Sequence, residues 1–334
     1  MSPTTTPLDD PVVAEAQEYA NKLLLLSEGS VNKHFDPYED IDWDNPDFDA
    51  NARPERWILP ESADPLGRHD WYQSLPVERQ IEVGKYRQAN IAKVGLQFES
   101  ILISGMVNHT FSLPNGDAEF RYCTHEMAEE LNHTLMFQEM VNRIGADVPG
   151  MGPLVRQLRL FGVPVAIAFP NLFFMAVLAG EEPIDHIQKQ ILRSGEEVHP
   201  IMRGVMSIHV AEEARHISFA HEFLKHHVPE QNAANRFILS IAMPIVMFIL
   251  GRSIATPPKK FFQEFDIPEQ VRKELFYGSE EAKQVFSDYF IDVRALAHEI
   301  GLMNPISKRV WKLLGIDGRA SRYRSEPIRS GKAA

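Results

Sequence analysis

His209-Val-Ala-Glu-Glu-Ala-Arg-His216 is the stretch that decides how this 334-residue chain reads. On an α-helix, positions four and seven residues apart return to nearly the same face. His209, Glu213 and His216 therefore form one column of two imidazoles and a carboxylate. The column runs into Val205 or Met206 at one end and into Ala220 and Leu224 at the other, so its polar groups lie inside an apolar stripe. Leaving them unpaired in a core would cost on the order of several kcal/mol. A metal ion is the leading compensation. Glu212 points about 100° off the column and is expected to be dispensable for metal binding. Arg215, beside the column, is a candidate to brace a ligand carboxylate, or else pairs with Glu212 at the surface.

A second segment, Cys123-Thr-His-Glu-Met-Ala-Glu-Glu-Leu-Asn-His133, places Glu130 and His133 at Glu-x-x-His spacing on a face shared with Cys123, Met127, Phe137 and Val141. One such pair is common by chance. Two of them on apolar helical faces fit the inward-pointing pairs of carboxylate-bridged dimetal bundles, which also require one Glu from each of two further helices. Upstream, Glu99 is the one acid on the stripe Ala92, Leu96, Glu99, Leu102 or Ile103, Met106. Between the two pairs, Phe174, Leu178, Glu181, Asp185 and Gln188 are in register. Glu181 is the inward candidate there, because Glu182 is rotated about 100° from that line. Pro183 removes one backbone hydrogen bond and predicts a local kink.

The candidate ligands are thus Glu99, Glu130, His133, Glu181, His209, Glu213 and His216. Taken alone, each is a surface glutamate or a core histidine bonded to a carbonyl. Together they require independent placement of polar groups on the apolar faces of four helices. Four carboxylates also balance two divalent cations, leaving the imidazoles neutral. Oxygen and nitrogen ligands without thiolate suit iron or manganese and argue against copper(I) or a structural zinc site.

The order Glu…Glu-x-x-His…Glu…His-x-x-x-Glu-x-x-His resembles the AurF-type arylamine N-oxygenases, a branch of the ferritin-like diiron proteins. The extra histidine, His209, marks the branch, and the resemblance covers roughly residues 85 to 300. It implies that the seven residues above are the metal ligands and that two iron ions, cycling between Fe2+ and Fe3+, reduce O2 to a bridging peroxide. It further implies oxidation of an aromatic amine to hydroxylamine, nitroso and nitro products. His209 would replace an oxygen ligand with a neutral nitrogen. Arg294, in Asp-Val-Arg294-Ala-Leu, stands near a position where the family has an arginine expected to meet the substrate's acidic group.

Composition agrees. The hydrophobic share of 44% allows one large core, and the net charge of −12 argues against nucleic-acid binding. A single cysteine, Cys123, excludes an internal disulfide and fits a reducing cytoplasm. The start of the chain has no apolar signal-peptide core. The run Phe237–Leu250 is short for a bilayer and contains Pro244, and the run Leu158–Ala179 is divided by Pro164 and Pro170. Both are expected to be helices buried on all sides, with no transmembrane segment; the alternative reading is a surface that binds a lipophilic substrate or touches the membrane.

The expected fold is all-α: a ferritin-like four-helix bundle with flanking helices. An irregular, acidic N-terminal arm (1–75) would pack on the diiron helical domain (76–307), and a solvated basic extension (308–334, with Arg319, Arg322, Arg324 and Arg329) would follow. Helices are expected over 77–107, up to Gly145, 171–192, 231–252, 268–277 and 279–301. No Gly-rich phosphate loop is present, which implies an external electron donor such as a ferredoxin and its reductase, or a peroxide shunt. A homodimer is the expected assembly. Two other functions share the ligand set: a diiron hydroxylase of a carbon substrate (fatty-acyl, polyketide or otherwise lipophilic), and an iron-storage or peroxide-scavenging protein.

Overall fold

The computed structural model describes residues 11–157, 159–195 and 197–327, the side chains of 11, 12 and 277 excepted. Residues 1–10 of the arm, Leu158, Glu196, and the tail from 328 with Arg329 lie outside them. Among the described residues there are helices and no strand. The helices are α1 (Pro11–Asn32), α2 (Asp70–Gln73), α3 (Val77–Thr110), α4 (Ala118–Ile144), α5 (Pro153–Arg156), α6 (Arg159–Ala168) and α7 (Pro170–Arg193). They continue with α8 (Pro200–His227), α9 (Ala233–Ala255), α10 (Lys259–Glu264), α11 (Glu269–Lys273), α12 (Glu280–Asp288), α13 (Ile291–Glu299) and α14 (Pro305–Leu313).

Four long helices make the bundle, α3 against α4 and α7 against α8, joined by the crossover that carries α5 and α6. The boundaries follow local chemistry. Asp117 caps α4 by accepting from the Glu119 amide, and Gly145 ends it in the left-handed region at φ 73°. Pro170 and Pro200 open α7 and α8, where a missing N–H costs nothing. Pro183 leaves α7 helical through to Arg193.

Close approach of α3 and α7 depends on Gly180, because a Cβ there would fall on the Phe98 ring. Those two residues adjoin Glu181 and Glu99, so the glycine sets how near the two carboxylates come. Two apolar clusters lie along the bundle. One holds Leu102, Met106, Cys123, Phe174 and Ala220, and the other holds Ala92, Phe137, Met140, Val205 and Met206. In sequence the ligand residues fall between the two sets on α3, α4 and α8. They form a polar layer with hydrocarbon on either side.

Five expectations change. The N-terminal arm is irregular only beyond α1, which packs on α4 and α8 through Tyr19, Leu23 and Leu26. The basic C-terminal extension is anchored over its described residues: Trp311, Ile316 and Glu326 are buried, and the exposed Arg319 and Arg322 both pair with Glu326. The boundary placed at 308 falls inside α14. The helix expected over 279–301 is broken between Asp288 and Ile291.

The last change concerns the apolar runs. α9 continues through Pro244 and is long and apolar enough to cross a membrane by length and composition, yet only a third of its apolar window is buried. Ile238 and Ile249 on α9 are exposed, as are Leu160, Phe161 and Ile167 on α6. Both helices pack against the bundle on one side only.

Candidate dimetal centre

Each predicted ligand is buried, and six of them converge in two overlapping groups. Glu99, His133, His209 and Glu213 offer ligand atoms within 4.8 Å of one another, and so do Glu130, His133, Glu213 and His216. His133 and Glu213 belong to both groups. Glu181 is also buried and lies within electrostatic reach of Glu213, Glu130 and His216.

Imidazole orientation shows which atoms are free to ligate. His133 Nε2 donates to Glu212 at 2.8 Å, so its Nδ1 faces Glu130 at 3.5 Å and Glu213 at 3.7 Å. His216 repeats this: Nε2 donates to Glu129 at 2.7 Å, and Nδ1 faces Glu130 at 2.9 Å and Glu213 at 3.4 Å. His209 is reversed. Its Nδ1 donates to Gln188 Oε1 at 2.8 Å, and Nε2 lies 3.3 Å from Glu213 and 3.4 Å from Glu99. A carboxylate or amide on the far nitrogen fixes the tautomer and aims the near lone pair inward.

Glu129 and Glu212 are therefore crossed braces. Each immediately precedes a ligand glutamate on its own helix and holds the histidine of the other. Arg215 lies between them, 2.8 Å from Glu129 and 3.6 Å from Glu212, so it braces the braces and no ligand carboxylate. Glu212, expected to be dispensable for metal binding, is off the column, as its rotation requires, but is fully buried on His133. Glu212 also accepts from the Phe35 amide at 3.2 Å, while Asn132 donates to the Phe35 carbonyl at 3.0 Å. The irregular arm is thereby tied to the centre.

Glu126 was missed. It is fully buried, and neither of its oxygens has a hydrogen-bond partner. It stands one turn before Glu130 on the same face, a spacing that the column argument used for His209 could have found. Orphaned oxygens recur on Glu99, Glu130, Glu181 and Glu213, as does an orphaned Nδ1 on His133. Buried polar atoms in native proteins are paired in the great majority. A site with this many unsatisfied inward acceptors fits a pair of divalent cations.

The electrostatics agree. Burial, reinforced by neighbouring carboxylates, pushes Glu99, Glu126 and Glu181 well above the usual carboxylate range. Burial also raises Glu213. Burial would raise Glu130 too, but His216 and His133 beside it hold it low. Burial, then the charge of His133, drives His209 well below the usual histidine range, so it is a neutral nitrogen donor.

Arg294, expected at the substrate, is bonded to backbone carbonyls of α12 and the C-terminal segment. It is buried, donating from Nε to the Arg319 carbonyl at 2.8 Å and from Nη1 to the Ser287 and Ile316 carbonyls at 2.8 and 2.9 Å. These bonds clamp the C-terminal segment onto α12 and α13. An apolar pocket of about 250 Å³ has a lining that includes Phe98, Leu102, Phe161, Val177 and Ile249. Phe98 precedes Glu99 on α3 and Val177 stands one turn before Glu181 on α7, while Phe161 and Ile249 bring in exposed residues of α6 and α9.

Residues 16–301 match the family described as p-aminobenzoate N-oxygenase AurF. The chain is similar to an uncharacterized protein of Mycobacterium tuberculosis (strain H37Rv), 58% identical over 322 residues, covering 96% of this chain and 94% of the relative. An uncharacterized protein of Mycobacterium bovis matches at the same 58% identity and the same coverage.

Proposed function

Since the chain belongs to the p-aminobenzoate N-oxygenase AurF family, an oxygenase family, we propose that it is a diiron monooxygenase that inserts oxygen into the nitrogen of an aromatic amine. The single observation that carries the proposal is the convergence of buried ligand atoms, His209 among them, around carboxylate oxygens and a His133 nitrogen that have no hydrogen-bond partner. Bound there, an iron pair would supply activation of O2. The first step balances as ArNH2 + O2 + 2 e− + 2 H+ giving ArNHOH + H2O. The two electrons come from a separate reduced donor protein.

The chain's own residues do the rest. Glu99, Glu130, Glu181 and Glu213 hold the charge of the metals, and the histidines add neutral donors. Glu129, Glu212, Gln188 and Arg215 keep the imidazoles from turning, which preserves ligand geometry through the redox cycle. The apolar layers exclude water, and the pocket beside Phe98 and Val177 holds an uncharged ring near the centre. Cytoplasmic location and assembly as a homodimer are part of the same proposal.

The pocket's wholly apolar lining also favours a second reading, hydroxylation of a lipophilic carbon substrate. Reconstituted protein with a chemical or ferredoxin-type reductant decides between them. Coupled O2 uptake with hydroxylamine product from an arylamine panel is the expected result. Uptake that responds only to fatty-acyl or other carbon substrates moves the assignment to the second reading. Uptake unaffected by any substrate, with ferric mineral accumulating, replaces both with iron storage.

A further inference from the structure

A second buried cluster lies on the neighbouring face of α7. Glu182 and His186 stand one turn apart there, facing Asp292 of α13, while His221 of α8 approaches Glu182. Their exposures are 2%, 5%, 2% and 6%. His186 Nε2 lies 3.6 Å from Glu182 Oε2 and 3.6 Å from Asp292 Oδ2. These separations are long for hydrogen bonds. They match the edge of a tetrahedron around a cation with bonds of about 2.0–2.2 Å, which is roughly 3.3–3.6 Å.

His186 Nε2 and Asp292 Oδ1 have no hydrogen-bond partner. The three ligand atoms lie within 4.8 Å of one another. The flanking groups are already braced. His221 Nε2 donates to the other oxygen of Glu182 at 2.9 Å, and Asp292 Oδ2 accepts from the Ser325 amide at 2.9 Å. The nearby Asp185 has its own cation, Lys189, at 2.6 Å. Two carboxylates and an imidazole are therefore left with the geometry for one divalent ion. His186 also lines a surface pocket of about 200 Å³ with Ser62, Lys189 and Gln190, which gives an ion a way in.

We propose that Glu182, His186 and Asp292 form a third, mononuclear metal site that takes zinc, with His221 bracing Glu182. Zinc suits it because the ion accepts mixed oxygen and nitrogen donors in four-coordination, with water completing the set. The site joins α7 to α13 and to the segment at Ser325. Because Glu182 follows Glu181, zinc there also fixes the turn of α7 that presents Glu181 to the iron pair. The proposal does not depend on which substrate is oxidised.

The test is metal stoichiometry. Protein loaded anaerobically with ferrous iron is titrated with Zn2+, desalted, and counted for both metals. One zinc per chain is expected above a retained iron pair. His186→Gln and Asp292→Asn are expected to weaken that zinc at least tenfold while keeping the iron and the helical circular dichroism. Wild-type protein that takes up no zinc overturns the proposal. Zinc retained in both variants, or lost instead in His226→Ala of the half-buried His226–His227–Glu230 group, also overturns it. Zinc-edge X-ray absorption on wild type gives a reading that needs no variant. One imidazole among oxygens is expected, and two imidazoles overturn the assignment.

Discussion

Glu126-Met-Ala-Glu-Glu-Leu-Asn-His133 on α4 and His209-Val-Ala-Glu-Glu-Ala-Arg-His216 on α8 are the same device written twice. Both carry Ala-Glu-Glu-x-x-His. In both, the second glutamate faces the centre, the first holds the other helix's histidine, and the last histidine presents Nδ1. They differ at the first position, where α4 has a carboxylate and α8 an imidazole. His209 is anchored by Gln188, whereas Glu126 is anchored by nothing. The difference teaches that one side of the centre is held by an anchored neutral donor, while the other carries a buried acid that no hydrogen bond positions.

The same helix pair supplies a second contrast. Glu119, at the start of α4, is as deeply buried as the ligands, yet it accepts from Tyr19 at 2.8 Å, His227 at 2.7 Å and His109 at 3.1 Å. Burial alone would raise its carboxyl, but these donors hold it down to about 2. Glu126 has no donors, and burial pushes it up. Partnered burial marks a structural clasp between α1, α3, α4 and α8. Glu126, buried without a partner among the candidate ligands, is the opposite case.

The largest effect expected is from Glu213→Ala, because Glu213 serves both ligand groups: iron bound per chain falls below one, while Glu181→Ala retains more. Equal retention would mean that the overlap of the two groups is not functional. Next is Glu119→Gln, which leaves iron content unchanged but destabilises the fold by roughly 3 kcal/mol at neutral pH in denaturant titrations. The sign follows from the lowered carboxyl. Its contribution is present above the ordinary value of 4.5 and is lost as pH falls toward about 2, so the gap between wild type and variant should close in acid. His227, whose raised value comes from Glu119 despite burial, contributes below 6.5 and loses that contribution as pH rises through its higher folded value. A gap that widens in acid would refute the clasp.

Glu129→Ala and Glu212→Ala should each weaken iron binding by about 10- to 100-fold, the usual cost of losing a partner behind a ligand. Similar losses from the two would confirm the crossed symmetry, and a normal affinity for either would break it. The smallest effect separates the unlike positions. His209→Ala should lower affinity more than Glu126→Ala, which should cost less than about tenfold, because a side chain that nothing positions loses more entropy when it ligates. The reverse order would make the acid the anchored ligand.

How much of this could be read in advance followed from distance along the chain. The inward ligand positions came from helical periodicity, because a column on one helix is a local property. The contact of Glu212 was not legible because its partner, His133, sits on another helix, and a rotation of about 100° only says that a side chain leaves the column. Glu126 was passed over although the period includes it. Arg294 binds the carbonyls of Ile316 and Arg319, a contact that no local pattern encodes. The exposure of α9 was missed because an all-round apolar helix reads as buried whether or not anything covers it.

The central claim is that these two helices, with Glu99 and Glu181, hold a coupled pair of metals. Mössbauer spectroscopy of protein reconstituted with 57Fe and exposed to O2 tests it most directly. A magnetically coupled diferric pair, accounting for two iron ions per chain, is the result predicted. Isolated paramagnetic ferric iron, or one iron per chain at saturation, would contradict it.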